Sequence, residues 1–222
     1  MGTKFPGNAS LIPVWKRILD LSLIILALPI LLPLMAIITL GILVVSPGPV
    51  FFRQQRIGLL GRRFTCWKFR SMRVNANVQI HENYLKQLMQ SDVPMTKMDA
   101  KGDPRLIPLG SLLRSSGLDE LPQLFNVLRG DMSIVGPRPC TPSEYENYEP
   151  WQMERFKTLP GLTGWWQVNG KNKTTFNQMI SMDISYVDQR SFAMDLRIIF
   201  KTIPVLLGQI KEIASKKPKA KQ

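Results

Sequence analysis

The sequence predicts a mainly helical α+β protein with an N-terminal membrane helix and a small β element. Three observations support this fold class. Residues 21–45 form an uncharged apolar run, residues 50–52 and 64–72 are short and aromatic-rich, and the second half of the chain carries apolar residues at helical spacing. The chain divides into a membrane segment (1–49), a globular domain (50–213) and a basic tail (214–222).

The apolar run is long enough to cross a bilayer. Its 25 residues extend over about 38 Å as a helix, against a hydrocarbon core of about 30 Å. A signal peptide has a shorter apolar core and a small-residue cleavage site. This run instead continues into Ser46-Pro-Gly-Pro, which is typical of a turn. We therefore predict membrane insertion.

Pro29 and Pro33 near the middle of the run predict a bend, because each proline removes a backbone donor and crowds the preceding turn. Positive charge flanks both ends, which the positive-inside tendency would keep in the cytoplasm. The flanking cations are Lys4, Lys16, Arg17, Arg53, Arg56, Arg62 and Arg63. A broken helix that re-enters the same face and a kinked single span both fit these residues.

The remaining segments predict a hairpin followed by helices. Gly58 and Gly61 separate the two aromatic-rich runs. Pro122 fits a helix only in its first turn, which places Asp119 and Glu120 at a helix start. The Pro/Gly-rich segments 130–142 and 160–173 are predicted connections. Helical spacing indicates helices at 76–89, 106–113, 118–128, 143–157, 176–186 and 195–213.

Composition restricts the chemistry. The net charge of +13 favours an anionic partner, which would be nucleic acid, an acidic membrane surface or a phosphorylated substrate. The single histidine, His81, lies in a polar stretch, which argues against zinc sites, Ser-His-Asp triads and histidine bases. Cys66 and Cys140 are too far apart for a Cys-x-x-Cys motif. Catalysis would therefore use carboxylates, cations or an oxygen-bound metal.

The adjacent carboxylates Asp119 and Glu120 stand between Arg114 and Arg138. By itself, an acidic pair at a helix start is ordinary, because it interacts favourably with the helix dipole. The same position keeps a carboxylate ionised, and arginine holds phosphate through forked hydrogen bonds. P-loop and dinucleotide-binding glycine motifs are absent from the sequence. The parts fit attack of a carboxylate on phosphorus.

A series of motifs in order resembles the monotopic polyprenyl-phosphate phosphoglycosyl transferases, the bacterial sugar transferase family. The resemblance covers residues 14–207. It consists of Lys16-Arg17, Pro33, Ser46-Pro-Gly-Pro-Val-Phe-Phe-Arg-Gln, Lys68-Phe-Arg-Ser-Met, Leu118-Asp-Glu-Leu-Pro-Gln-Leu, Val135-Gly-Pro-Arg-Pro, Pro160-Gly-Leu-Thr-Gly-Trp and Gln167-Val-Asn-Gly. Leu32 and Leu159 depart from the family pattern, which commonly has Ser and Arg there.

The resemblance implies a re-entrant membrane helix, with domain 50–213 acting on the cytoplasmic face of the bacterial inner membrane. It implies a UDP-sugar donor, a polyprenyl phosphate acceptor (undecaprenyl phosphate in most bacteria), Mg²⁺ as cofactor and contact with membrane lipids. Nucleic acid is not an expected partner, and a homodimer is left open. The product would be a polyprenyl diphosphate-sugar that initiates glycan assembly.

The resemblance also implies residue roles. Asp119 would attack the donor phosphate and bind Mg²⁺, and Glu120 would assist. Phosphate or substrate binding is expected from Arg114, Arg138, Pro137, Gly136 and Lys68, and membrane anchoring from Lys16, Arg17, Pro29 and Pro33. Two other interpretations of these residues are a membrane-anchored non-catalytic scaffold and a binder of anionic lipid or nucleic acid.

Overall fold

The computed structural model describes residues 12–74, 84, 87–89, 91, 93–95, 103, 105–170 and 173–215, with side chains up to residue 208. Within these ranges the predicted α+β class is confirmed. The helices are α1 (Val14–Val45), α2 (Gly110–Ser116), α3 (Leu124–Arg129), α4 (Pro142–Glu146), α5 (Trp165–Asn169), α6 (Phe176–Gln189) and α7 (Phe192–Ser215). The strands are β1 (Phe51–Ile57), β2 (Arg63–Phe69), β3 (Ser133–Val135) and β4 (Gly161–Thr163), and 3-10 helices occupy Leu59–Gly61, Leu118–Gln123 and Pro150–Lys157.

The predicted hairpin is confirmed, with β1 and β2 antiparallel. In its register Phe51 lies opposite Phe69, and Ile57 lies opposite Arg63. A second sheet, the parallel pair β3 and β4, was not predicted. Each of its strands has only three residues, too few for an alternating pattern to be recognised.

The membrane helix α1 packs on the globular domain at both ends. Near its N-terminus Ile24 is buried in a cluster with Cys66, Val127 and Met132. Near its C-terminus two isoleucines join a second cluster, whose buried members are Ile38, Ile42, Phe69, Ile107 and Leu113. Most apolar side chains between these contacts are exposed, including Ile25, Leu26, Ile30, Leu32 and Ile37.

The chain remains helical across Pro29 and Pro33, so these prolines lie within a continuous helix and do not end it. A continuous helix can still bend at its prolines, so the predicted bend stays a prediction. Each proline lacks the N–H of a helical residue, so each one costs the helix a backbone hydrogen bond. The bend predicted at the prolines would therefore lie inside the exposed middle of α1.

Three predicted helices differ from the observed ones at their prolines and glycines. The 106–113 helix begins later, at Gly110. The 118–128 helix is a 3-10 helix that contains Pro122, followed by α3. The 143–157 helix is interrupted before Pro150, where a new 3-10 helix begins. The predicted helix at 76–89 lies mostly outside the described residues.

Candidate active site

The Asp119 turn, defined here as the 3-10 helix Leu118–Gln123, carries both predicted carboxylates. Gly117 ends α2 with a φ of 76°, a left-handed conformation that glycine adopts without strain. Leu118 and Leu121 pack on the cluster that holds the C-terminal part of α1. Asp119 is buried, with 7 % of its surface exposed. The turn that carries Asp119 thus packs on the same apolar cluster as the membrane helix.

Lys68 of β2 reaches the Asp119 turn and forms a salt bridge with Glu120, with Nζ and Oε1 separated by 2.7 Å. The lysine side chain is 22 % exposed and the glutamate side chain 41 %. The structure therefore brings together two of the predicted site residues that are 52 positions apart in sequence. A cation stands beside the carboxylates, as binding of an anionic donor requires.

Arg70, from the same motif as Lys68, has a structural role that the sequence did not reveal. Its guanidinium donates to the carbonyl oxygens of Pro47 at 2.8 Å and Ser46 at 2.5 Å. These carbonyls follow the last turn of α1. Arg70 therefore fastens the C-terminal end of the membrane helix to the strand that carries Lys68.

Gly136 begins the phosphate loop, defined here as residues 136–140. It fits at this position only because it has no side chain. A Cβ there would lie 2.3 Å from the carbonyl oxygen of Leu159. Added Cβ atoms at Gly161 and Gly164 would in turn collide with the backbone of Gly136. The two glycine-containing motifs are therefore one structural unit, in which β3 and β4 approach closely.

Residues 137–140 have a firmly held backbone, because each of their four carbonyl oxygens accepts a hydrogen bond. The donors are the backbone N–H of Gly161 for Pro137, Arg155 for Arg138, Arg56 for Pro139 and the backbone N–H of Ile57 for Cys140. Such a loop presents its side chains in one orientation, which is a requirement for a preorganised site.

The Arg138 guanidinium contacts Glu144 Oε1, with Nη1 at 3.3 Å. Burial is the largest single effect and lowers the pKa of Arg138, but Glu144 and Tyr148 together outweigh it, so the pKa is raised. Glu144 also belongs to the capping box at the start of α4, in which its carboxylate accepts a hydrogen bond from the backbone N–H of Thr141. Arg138 is 27 % exposed, so this part of the loop still faces solvent.

Arg155 is a buried residue that sequence reasoning missed. Its Nη2 donates to the carbonyl oxygen of Arg138 at 2.9 Å and to Asp183 at 2.5 Å, and its Nη1 donates to Tyr148. Asp183 belongs to α6, so this ion pair ties the 137–140 loop to a helix distant in sequence. An arginine in a polar segment gives no sign of such burial.

Cys66 of β2 is fully buried, and charges from both the Asp119 turn and the phosphate loop act on its thiol. Burial raises the pKa of its thiol, and the charge of Glu120 adds to this shift. The charges of Lys68, Arg56 and Arg138 oppose it. The buried Cys66 sulfur is therefore close enough to interact electrostatically with Glu120 of the Asp119 turn and with Arg138 of the phosphate loop. The hairpin is the element that brings these halves together.

Lys16 was predicted as a membrane-anchoring cation, and it is fully buried in the domain. Its ammonium has three acceptors, namely Asp195 at 2.6 Å, the Val135 carbonyl at 2.8 Å and Tyr186 at 2.9 Å. Three acceptors match the three donors of a lysine. Lys16 thus anchors α1 to the strand that leads into the phosphate loop, and not to lipid headgroups.

Arg17 and Asp20 complete this attachment. Arg17 donates to the carbonyl oxygens of Val127 and Leu128 at the end of α3, where the helix dipole favours a cation. Asp20 accepts from the backbone N–H of Ile134 at 2.9 Å. Asp20 was not predicted, although its spacing of four from Lys16 places both on one helix face.

Arg114 lies in the last turn of α2, one turn before the Asp119 turn. The side-chain hydrogen bond from Arg105 is the main cause that lowers the pKa of Asp103, and the charge of Arg114 adds a smaller contribution. Across the described residues, no three His, Cys, Asp or Glu side chains group together as a metal site. A magnesium ion held by Asp119 would therefore take its other ligands from substrate phosphates and water, a coordination that Mg²⁺ commonly adopts.

The sequence profile described as "Bacterial sugar transferase" matches residues 11–209. The chain belongs to the bacterial sugar transferase family. This match covers all of α1, the hairpin, the Asp119 turn, the phosphate loop and most of α7. Among the described residues, α1 is also the one helix that is long and apolar enough to cross a membrane. Both findings support membrane association.

Three relatives are between 38 % and 44 % identical to this chain over the aligned residues. The exopolysaccharide production protein ExoY of Sinorhizobium fredii is 40 % identical over 192 residues, covering 86 % of this chain and 84 % of ExoY. The UDP-glucose:undecaprenyl-phosphate glucose-1-phosphate transferase of Xanthomonas campestris is 44 % identical over 204 residues, covering 88 % of this chain and 39 % of the relative. The undecaprenyl-phosphate galactose phosphotransferase of Salmonella typhimurium is 38 % identical, and 40 % of its length is covered. The chain thus spans about two fifths of these two transferases.

Proposed function

We propose that this family member transfers a sugar 1-phosphate from a UDP-sugar to a polyprenyl phosphate, undecaprenyl phosphate in bacteria. The products are a polyprenyl diphosphate-sugar and UMP. The observation that carries the proposal is the buried Asp119, held beside the Lys68–Glu120 pair on the cluster that fixes the end of α1. A reaction between a soluble nucleotide and a membrane lipid needs its nucleophile at that boundary.

The mechanism that we propose is ping-pong. A carboxylate oxygen of Asp119 attacks the sugar-linked phosphorus, and the bond from that phosphorus to the bridging oxygen breaks as UMP leaves. A phosphate oxygen of the lipid then attacks the phosphorus of the acyl phosphate, and the Asp119 carboxylate is released. Glu120 and Lys68 stand beside the reacting groups, with the cation offsetting the negative charge that accumulates when two phosphates meet.

Mg²⁺ is the expected cofactor, with Asp119 as its protein ligand. When bound, it would neutralise charge on the donor diphosphate. Arg138 and Arg114 would contribute further positive charge, with Arg138 held in place by the 137–140 loop. The glycans that such a product initiates are polysaccharides or glycoconjugates.

The contacts of α1 support a re-entrant topology. Ile24 and Ile38 both pack on the domain, so only 14 residues separate the two attachments. Even a straight helix of that length covers about 21 Å, less than the hydrocarbon core of about 30 Å. Both ends therefore belong on one side of the membrane, which the basic residues make the cytoplasmic face of the inner membrane.

A donor screen tests this function. Purified protein in detergent receives undecaprenyl phosphate, Mg²⁺ and one UDP-sugar at a time, and released UMP and lipid-linked sugar are quantified. We expect UMP and lipid product in equal amounts with at least one donor. Binding of undecaprenyl phosphate without turnover of any UDP-sugar would instead favour the scaffold interpretation.

A further inference from the structure

A groove of about 200 Å³ lies between the hairpin and α3, lined by Phe51, Trp67, Phe125 and Arg129. Cross-strand partners in an antiparallel pair lie on the same face of the sheet, and β1–β2 pairs Phe51 with Phe69 and Arg53 with Trp67. One hairpin face thus carries three aromatic rings and a cation. None of these aromatic residues has a place in the proposed chemistry.

A row of aromatic rings connects the groove to the membrane helix. Phe69 stacks on Phe51 with ring centroids 5.5 Å apart, and Phe51 meets Trp67 edge-on at 6.0 Å. Phe69 is itself buried against Ile38 and Ile42 of α1. The aromatic wall of the groove is therefore continuous with the part of the protein assigned to the bilayer.

Two arginines give the groove a cationic rim. The guanidinium carbon of Arg53 lies 4.6 Å from the centroid of the Trp67 ring. The Arg129 side chain is 69 % exposed, and its Nε lies 3.5 Å from Oδ2 of Asp131. An exposed aromatic floor with cations at its edge matches an amphiphile that has a hydrocarbon chain and an anionic head.

The groove is also close to the carboxylates. Lys68, which binds Glu120, directly follows Trp67 in β2. Phe125 comes five positions after Glu120 in an unbroken helical stretch, a separation of about 9 Å along its axis. A bulk phospholipid seated here would block the acceptor, whereas the acceptor itself would bring its phosphate toward Asp119.

We propose that this groove binds the isoprene units near the phosphate of the polyprenyl acceptor, an assignment that rests on the proposed function. Phe51, Trp67 and Phe125 contact the chain, and Arg53 and Arg129 lie at the headgroup level. The hairpin then serves both substrates, because one of its faces holds the lipid and Lys68 on the other approaches the donor site.

The double variant Trp67→Ala/Phe125→Ala tests the groove. We expect its KM for undecaprenyl phosphate to rise about tenfold or more, because two apolar contacts are removed. Its kcat/KM for the UDP-sugar should stay within twofold of wild type, because the donor does not occupy the groove. UMP release without acceptor should persist, because the lipid enters only in the second half-reaction.

Two further variants provide controls. Phe125→Ser removes a ring that is 45 % exposed, so it should fold normally and give a smaller rise in KM. Trp151→Ala removes a similarly exposed tryptophan from the 3-10 helix Pro150–Lys157 and should leave the KM for undecaprenyl phosphate unchanged.

The outcomes separate the two proposals. Absence of UMP release from the wild-type protein would contradict the proposed function and the acceptor assignment with it. UMP release together with an unchanged KM for undecaprenyl phosphate in both groove variants would overturn the groove alone. Reduced binding to phosphatidylglycerol vesicles with an unchanged KM would show a bulk-lipid site, and this also overturns the proposal.

Discussion

At the residue scale, the contact that most directly concerns the chemistry is the salt bridge between Lys68 and Glu120. Both side chains are partly exposed, and pairs in such surroundings contribute about 0–1 kcal/mol to the free energy of unfolding. The pair therefore contributes little to the stability of the fold. Under the proposed mechanism, its location beside the buried Asp119 would place positive charge next to the phosphate under attack.

The substitution Lys68→Met should therefore reduce turnover far more than stability. We expect kcat to fall about 100-fold, comparable to the loss of one group that stabilises charge in a transition state. The free energy of unfolding should change by less than about 1 kcal/mol. Steady-state kinetics and denaturation in detergent measure the two quantities.

Lys157→Met is the matched control, because Lys157 forms a comparable exposed pair with Glu154 in the 3-10 helix Pro150–Lys157. It should leave kcat within twofold of wild type. Equal losses of kcat in the two variants would show that the effect of Lys68 is a general effect of surface charge.

Single residues were predicted from sequence where a motif marks them, and missed where only the fold brings them together. Asp119, Glu120 and Lys68 belong to recognisable motifs. Asp195 pairs with Lys16 across 179 positions, and no local pattern reports such a contact. The same holds for Arg155 and Asp183, whose burial depends on the packing of α6 against the 3-10 helix Pro150–Lys157.

At the element scale, the parallel pair β3–β4 supports the phosphate loop. The backbone N–H of Ser133 donates to the carbonyl oxygen of Pro160 at 2.8 Å, and the backbone N–H of Gly136 donates to the carbonyl oxygen of Thr163 at 2.9 Å. Close approach of the two strands requires glycine at their crossing. The glycines of the two motifs thus have a packing role, and the phosphate-binding role of Gly136 stays a prediction.

Gly136→Ala should destabilise the protein, because its Cβ would meet backbone atoms that cannot rotate away. We expect the free energy of unfolding to decrease by about 1–3 kcal/mol or more, together with loss of activity. Gly208→Ala in α7 is the control, since nothing lies within 4 Å of its added Cβ. Thermal unfolding of the two variants in the same detergent makes the comparison. Equal stability of the two would contradict the close approach of β3 and β4.

Elements with a strong local signal were predicted well. Aromatic-rich runs separated by glycines gave the hairpin, and regular apolar spacing gave α6 and α7. The 143–157 segment was predicted as one helix because its apolar spacing continues past Pro150, whereas the proline begins a new element. Capping boxes at Thr141 and Thr175 mark two observed helix starts.

At the scale of the whole molecule, α1 and the domain form one unit with two attachments. The N-terminal attachment is mainly polar and buried, through Lys16, Arg17 and Asp20. The C-terminal attachment is mainly apolar, through Ile38 and Ile42. Sequence alone left a re-entrant helix and a single span equally open, because charge and proline positions fit both. The contacts at both ends favour the re-entrant form.

Cysteine labelling tests this topology. Val14→Cys and Pro49→Cys place thiols at exposed positions on either side of the apolar run. Burial raises the pKa of Cys140 to about 12 and also raises that of Cys66, so the native thiols stay protonated and unreactive. We expect a membrane-impermeant maleimide to label both positions in inside-out vesicles and neither in spheroplasts. Labelling of the two from opposite sides would mean that α1 spans the bilayer.

The central claim is that Asp119 forms a covalent phosphosugar. Intact-protein mass spectrometry after incubation with a turned-over UDP-sugar and Mg²⁺, without lipid acceptor, tests it most directly. We expect that wild-type protein gains the mass of one sugar phosphate, that Glu120→Gln retains this adduct, and that Asp119→Asn has none. An adduct of undiminished amount in Asp119→Asn would contradict the account, because the nucleophile would then be another residue.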